Sequence, residues 1–140
     1  MPIRTETRIR ALALQLLYAW DQIGVDRADI QPLWAAICAG RGSTPKTEAR
    51  ALDLAGAVVR DRGRLDGALR LAAENWRLER LAVVDRNVLR LALAEMERGE
   101  TPVKVVIDEA IRLARWFGAA RSPAFVNGIL DRVARERGWL

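Results

Sequence analysis

The chain has 140 residues, of which 51% are hydrophobic and 29% charged, and its formal net charge is +5. This length and composition suffice for one domain with a real core, which excludes a mainly disordered protein. The chain contains no histidine and one cysteine, Cys38. These absences exclude a histidine-based triad, a histidine-liganded metal and a cysteine-cluster zinc site. We therefore predict no catalytic residue, no metal and no cofactor.

The N-terminal sequence MPIRTETRIR lacks the apolar segment of a secretory signal. The apolar runs are far shorter than the roughly 18 to 20 residues that a membrane span needs. A soluble, cytoplasmic protein without a membrane partner is therefore predicted. Its positive charge is almost entirely arginine, since Lys46 and Lys104 are the only lysines. A GC-rich genome would explain arginine as a bulk count, so only the positions of particular arginines bear on function.

Apolar residues recur at spacings of three and four almost throughout, which indicates an all-α protein. The pairs Thr44-Pro45, Thr101-Pro102 and Ser122-Pro123 each place an N-cap hydroxyl before a proline, which favours a helix start. Seven helices are predicted, over about residues 5–22, 29–39, 45–61, 65–75, 83–98, 102–117 and 123–137. Gly63 is expected to separate the third from the fourth. We expect one domain over residues 1–140, a helical bundle with sub-bundles at about 1–75 and 76–140.

The first predicted helix has two faces. Its core face contains Ile9, Leu12, Ala13, Leu16, Trp20 and Ile23. The opposite face contains Arg4, Arg8, Ala11, Gln15 and Tyr18, with Arg10 on the flank. Cations, an amide and an aromatic ring together can hold phosphates, hydrogen-bond bases and stack on a base. The alternative is a solvated face with Tyr18 in boundary packing. Cations near a helix N-terminus do not stabilise the helix, which weakly favours a partner anion.

The later helices contain fewer candidates. The fifth helix has a wide apolar arc, which predicts a central helix buried on most sides. The narrow remaining arc contains Arg86, Asn87, Arg90, Glu97 and Arg98, whereas Asp85 falls among apolar positions. Asp85 is either a first-turn carboxylate that stabilises the helix start or an acceptor for a partner. The core of the sixth helix is predicted to contain Val103, Val106, Ile107, Ala110, Ile111, Ala114 and Phe117, with Gly118 as the C′ residue.

In the seventh helix the predicted core is Val126, Ile129, Leu130 and Val133. Phe125 is either at the edge of this core or an exposed stacking ring, and Asn127 is either a tertiary hydrogen-bonding group or a readout group. Gly128 costs about 1 kcal/mol relative to alanine in a helix interior. Close helix approach or a partner surface would explain it.

Three segments carry motifs of one known family. They are RALALQLLYAWDQ at residues 10–22, VDRNVLRLALAEM at 84–96 and PVKVVIDEAIRLARWFGAARSPAFVNGILDRVA at 102–134. The last contains the specific pattern F-V-N-G-[IV]-L-D. With these segments the chain resembles the NusB family of bacterial transcription antitermination factors. The resemblance implies an all-helical fold of two small bundles. It also implies binding to boxA, a single-stranded RNA element of ribosomal RNA leader transcripts.

The resemblance further implies partners and sites. The partners are NusE, a small-subunit ribosomal protein, and the RNA polymerase antitermination complex; a homodimer is also a candidate assembly. The RNA-binding candidates, from the helix face and the motifs together, are Arg4, Arg8, Arg10, Gln15, Tyr18, Lys104, Phe125 and Asn127. Asp85 matches the acidic residue of the V-[DE]-[KR] pattern and is assigned to the protein partner. Glu6 and Thr7 interrupt the arginines that start the family pattern, and Arg4 or Arg121 can compensate.

Two other hypotheses belong to different classes. The chain could be the NusB-like RNA-binding module of a ribosomal RNA cytosine methyltransferase, which would need an additional cofactor-binding α/β domain and a catalytic cysteine. It could also be a helical adaptor that binds only protein. An independent hydrolase or transferase is disfavoured because no nucleophile–base pair accompanies the carboxylates.

Overall fold

The computed structural model describes residues 3–24, 30–38 and 42–140. Within these ranges the chain contains seven α-helices, one short 3-10 helix at Leu78–Arg80 and no strand, which confirms the all-α prediction. The α-helices are α1 (Thr5–Ile23), α2 (Gln31–Cys38), α3 (Pro45–Arg60), α4 (Arg62–Ala72), α5 (Val83–Arg98), α6 (Val103–Phe117) and α7 (Ser122–Glu136). The predicted ends of the second helix, at residues 29 and 39, lie outside the described residues. No helix in the described ranges has the length and apolar character needed to cross a membrane.

The chain divides into two compact units, Met1–Arg60 and Asp61–Leu140. The predicted boundary near residue 75 is therefore wrong, because α4 packs on α5 and α7. Leu65 and Leu69 of α4 are fully buried in the second unit. Gly63 does not separate two helices but lies inside α4; the break is at Asp61, whose φ of −101° and ψ of 14° interrupt the helix.

In the first unit, α1 packs on α2 and α3. The predicted core face of α1 is buried from Ile9 to Trp20. Ile23 was predicted in the core but is 48% exposed. It is the last residue of α1 and precedes Gly24, whose φ of 134° turns the chain away from the helix.

In the second unit, α5 packs on α4, α6 and α7. The prediction of a central helix buried on most sides is thus confirmed. Two residues of its predicted polar arc, Asn87 and Arg90, are covered as well, with exposed fractions of 0% and 3%. Arg90 donates two hydrogen bonds to the Asp66 carboxylate of α4, at 2.7 and 3.0 Å. It donates a third to the Asn87 side-chain oxygen at 2.9 Å. The Asn87 amide in turn donates to the Val83 carbonyl at 3.0 Å.

Side chains of α6 and α7 form the rest of the core of the second unit. Val106, Ile107, Ala110 and Ala114 of α6 are buried as predicted, and so are Val126, Ile129, Leu130 and Val133 of α7. Phe117 is 41% exposed, because it lies in the last turn of α6, and Leu113 takes part in the core instead.

One of the three predicted threonine or serine caps forms. The Thr47 backbone N–H donates to the Thr44 hydroxyl at 3.2 Å, as expected of an N-cap. At α6 the N-cap position is Pro102 and no side chain caps the helix. Ser122 is the first residue of α7, and its hydroxyl accepts a hydrogen bond from the Ala119 N–H at 3.0 Å. This bond closes the loop that joins α6 to α7.

Candidate nucleic-acid interface

The polar face of α1 is accessible to solvent in the first unit. Arg8 is exposed, Tyr18 is 45% exposed and Gln15 is half-buried. These three residues follow one another at helical spacing and extend about 15 Å along the helix axis at 1.5 Å per residue. Arg4 is also exposed, but it is the N-cap residue, with an extended backbone at φ −61° and ψ 149°. It therefore lies beyond the helix end, and not on the helical stripe itself.

Arg4 and Arg8, the two exposed arginines at this end of α1, have guanidinium groups that no ion pair within the described residues neutralises. Among the residues that the structure describes, no carboxylate lies within ion-pair distance of Arg4 or Arg8. Glu6 lies between them in sequence, and its carboxylate is 3.6 Å from the guanidinium of Arg50 on α3. The acidic residue that interrupts the basic sequence is thus paired with another element of the same unit.

Arg10 does not belong to the exposed surface. Its exposed fraction is only 6%, contrary to the prediction of a flanking RNA contact. Positions 10, 14 and 17 share one side of the helix, and Leu14 and Leu17 are buried too. The buried arc of α1 is therefore wider than the apolar pattern at Ile9 and Leu12 suggested, and it includes Arg10.

In the second unit, the candidates on α6 and α7 are also accessible. Lys104 lies in the first turn of α6 and is exposed; Asn127 is exposed on α7. Neither side chain forms a hydrogen bond or ion pair within the described part of the chain. Phe125 is half-buried, and its ring meets that of Trp76 edge to face, with centroids 5.3 Å apart at 76°.

Trp76 is a candidate that the sequence reasoning missed. It follows α4 and remains 59% exposed despite its contact with Phe125. A tryptophan in the segment assigned to a boundary between bundles was the available signal. A cleft of about 290 Å³ adjoins the aromatic pair; its lining residues are Ala72, Ala73, Glu74, Asn75, Trp76, Ala124, Phe125, Gly128, Ile129 and Arg132.

Gly128 is not explained by close helix packing. A Cβ atom built at this position would meet no heavy atom within 4 Å. The helix also has ordinary geometry there, since no positive φ is found at this residue. Close helix approach, one of the two explanations offered by the sequence, is therefore wrong.

Asp85 lies in the first turn of α5, where a carboxylate stabilises the helix start. The residue is half-buried, and its Oδ1 atom is buried without a hydrogen-bond partner among the described residues. The structure thus places Asp85 in the first-turn position.

The described residues contain no cluster of three or more histidine, cysteine, aspartate or glutamate side chains that could hold a metal ion.

Three comparisons bear on this arrangement. Residues 7–135 match the model of the NusB family. The chain is 46% identical over 134 residues to a transcription antitermination protein NusB of Anaeromyxobacter dehalogenans, which covers 91% of this chain and 89% of the relative.

Among solved structures, NusB of T. maritima superposes with a TM-score of 0.84 at 34% identity, covering 97% of this chain and 94% of that one. A structure of antitermination factors NusB and NusE in complex with dsRNA has a TM-score of 0.84 at 23% identity and covers 96% and 99%, respectively. At that identity the second likeness shows the shared fold alone. The match to the family model and the identity to its members nevertheless agree over most of the chain, which therefore belongs to the NusB family.

Proposed function

We propose that this protein is a transcription antitermination factor. It binds boxA RNA of ribosomal RNA leader transcripts together with NusE, and the pair promotes read-through by RNA polymerase. The observation that carries the proposal is the accessible surface at α1 of a member of the NusB family. Arg8, Gln15 and Tyr18 lie along this helix, and Arg4 is exposed just before its start.

At α1 and its N-cap, the role of each residue follows from the chemistry of its side chain. Arg4 and Arg8 bind phosphates, because guanidinium groups form charge-assisted hydrogen bonds to phosphate oxygens. Gln15 hydrogen-bonds a base edge, and Tyr18 stacks on a base. Arg10 has a structural role instead, since only 6% of its surface is exposed.

The second unit contributes its own RNA contacts. Lys104 binds a phosphate as a flexible point charge. Phe125 offers a ring for stacking, and the exposed amide of Asn127 offers a donor and an acceptor to a base. Arg121 is exposed in the loop before α7 and adds a further cation.

Asp85 serves the protein partner. The residue matches the acidic position of the family pattern V-[DE]-[KR], and it lies half-buried in the first turn of α5. A structure of the same fold is described as antitermination factors NusB and NusE in complex with dsRNA, which supports NusE as the partner.

In this role the protein binds RNA and protein and is not an enzyme. It acts in the cytoplasm, where transcripts are made. A relative 46% identical to it is named an antitermination protein, and the alignment covers 89% of that relative. This favours the antitermination factor over the module of a methyltransferase, which would be part of a larger enzyme.

The direct test is titration of boxA RNA with wild type, Arg8→Ala and Tyr18→Ala at several salt concentrations. We expect Arg8→Ala to weaken binding and to reduce the salt slope by roughly 0.7, the value for one phosphate contact on a single strand. Tyr18→Ala should cost about 1 to 3 kcal/mol with an unchanged salt slope, because stacking involves no counterion release. Wild-type affinity in both variants would contradict the proposed surface.

The control is Arg112→Ala. Arg112 is an exposed arginine of α6, but its guanidinium lies 3.5 Å from the Glu109 carboxylate. Its removal lowers the net charge by the same amount as Arg8→Ala. A binding loss in both variants would indicate a general charge effect and not a site.

The partner is tested by repeating the titration with NusE. We expect RNA affinity to rise when NusE is present and Asp85→Ala to reduce NusE binding. Binding of NusE by a protein that retains no RNA under either condition would favour the adaptor that binds only protein.

A further inference from the structure

We propose that the cleft beside Trp76 and Phe125 is a slot for one nucleobase of the bound RNA. This inference rests on the proposed function and adds to it a base-binding site that includes Trp76, Asn75 and Gly128. The cleft lies entirely in the second unit, between the end of α4 and α7.

The cleft has an aromatic wall and a suitable size. Its volume is about 290 Å³, close to the lower end of the range for small-ligand pockets, about 300 Å³. Trp76 and Phe125 already form an edge-to-face pair, but 59% of the Trp76 surface remains in solvent. An exposed indole next to a cleft provides a stacking surface for a base.

Gly128 keeps the cleft open. Glycine destabilises a helix interior relative to alanine, yet neither packing nor backbone conformation requires it here. A Cβ atom would lie in open space, and the residue lines the cleft. A larger side chain would therefore occupy volume that a ligand could use.

Arg132 holds the two sides of the cleft together. Its Nη1 atom donates to the Ala72 carbonyl at 3.3 Å and lies 3.2 Å from the Glu74 carboxylate. Its Nε atom donates to Glu136 at 2.9 Å. Because two carboxylates compensate the guanidinium, the cleft does not offer an unpaired cation to a phosphate. A neutral, planar group fits this electrostatic setting better.

The polar group of the lining that remains available is the Asn75 amide. It is exposed, and no described residue hydrogen-bonds to it. An amide presents donors and an acceptor, which match the edge of a base. A nucleobase uses the aromatic wall through its face and the amide through its edge, whereas an aliphatic side chain of a protein would use only the wall.

The test measures binding of fluorescently labelled boxA RNA to wild type, Gly128→Leu and Trp76→Ala. Each variant should weaken binding by about 5- to 150-fold, the range expected for loss of one stacked base. The same RNA is then studied with an abasic nucleotide at each position in turn. One abasic RNA should bind wild type as weakly as intact RNA binds Gly128→Leu, and Gly128→Leu should not weaken it further.

The control is Trp116→Ala, which removes another exposed indole, on α6, that lies outside the cleft. It should bind RNA like wild type. Thermal unfolding of every variant checks folding; leucine is a good helix former, so Gly128→Leu remains informative if Trp76→Ala fails to fold.

The outcomes separate this inference from the proposed function. Wild-type affinity of Gly128→Leu, with weakened binding by Arg8→Ala, would overturn the slot and leave the proposed function standing. Loss of NusE binding with unchanged RNA binding would assign the cleft to the protein partner and also overturn it. Failure of the wild-type protein to bind boxA RNA would overturn both.

Discussion

Gly118 lies between α6 and α7 at a position where a side chain would not fit. A Cβ atom at this position would lie 2.7 Å from the Ala114 carbonyl oxygen and 2.6 Å from the Ser122 hydroxyl. The φ of Gly118 is −100°, so the backbone conformation does not require glycine. Gly118 lies at the helix end, as predicted, but the reason for glycine is not the C′ conformation expected from the sequence. A side chain is excluded by the Ala114 carbonyl in the last turn of α6 and by Ser122 at the start of α7, not by a left-handed conformation.

We therefore predict that Gly118→Ala destabilises the protein. Overpacking of this kind costs about 1 to 3 kcal/mol, because the Ala114 carbonyl belongs to the helix backbone and cannot rotate away. Urea unfolding of the variant and wild type measures the difference. Gly128→Ala is the matched control, since its Cβ enters open space, and it should be neutral or stabilising by up to about 1 kcal/mol. Equal effects of the two substitutions would contradict this account.

At the scale of helices, the buried ion pair between α4 and α5 accounts for the position of the unit boundary. Arg90 and Asp66 have side chains that are only 4% and 2% exposed. Neither can be left alone, because an unpaired buried charge is costly. The ion pair therefore holds α4 against α5 in the second unit. The burial of Leu65 and Leu69 stabilises the same position of α4.

We expect removal of one partner to be far more damaging than removal of both. Asp66→Ala should reduce the free energy of unfolding by about 3 to 5 kcal/mol, since it leaves Arg90 buried without its carboxylate. The double variant Asp66→Leu/Arg90→Met should recover a large part of that loss, although the Asn87 oxygen then lacks its donor. Denaturant unfolding of the single and double variants checks this. A double variant as unstable as Asp66→Ala would show that the charges are not the cause.

At the scale of the whole chain, each unit has its own core and its own set of candidate contacts. The first unit carries Arg4, Arg8, Gln15 and Tyr18; the second carries Lys104, Phe125, Asn127 and the Trp76 cleft. The second unit also has a charged cluster that joins three of its segments. Glu97 of α5 accepts hydrogen bonds from Arg64 of α4 at 2.5 Å and from Arg137, after α7, at 2.7 Å.

This cluster predicts a dependence of stability on pH. Burial alone would raise the pKa of Glu97, but the hydrogen bonds and charges of Arg64 and Arg137 outweigh burial and lower it below the ordinary value of 4.5. A carboxylate with a lowered pKa stabilises the folded state above the unfolded pKa, and the contribution disappears as pH falls through the folded value. Glu97→Gln should therefore be destabilised at pH 7 and approach wild-type stability as the pH drops well below 4.5.

Unfolding measured across this pH range, with Glu100→Gln as control, tests the prediction. Glu100 is exposed and has no ion-pair partner among the described residues, so its substitution should have little effect at any pH. A constant difference between Glu97→Gln and wild type would indicate a packing effect of the substitution and not titration of the carboxylate.

The sequence by itself determined the helices, their order and the family. Apolar spacing and glycine and proline signals are local, so the bounds of α1, α3, α5, α6 and α7 follow from neighbouring residues alone. The exposure of Arg8 and Tyr18 followed for the same reason, because one helix face was apolar and the opposite face was not.

Only the tertiary structure decided which polar residues are buried and where a cleft forms. The burial of Arg10 depends on what covers one side of α1, and that of Arg90 depends on a carboxylate 24 positions away on α4. The meeting of Trp76 with Phe125 likewise joins residues distant in sequence. Helical periodicity specifies the direction of a side chain around its own axis. It contains no information about which partner another helix places there.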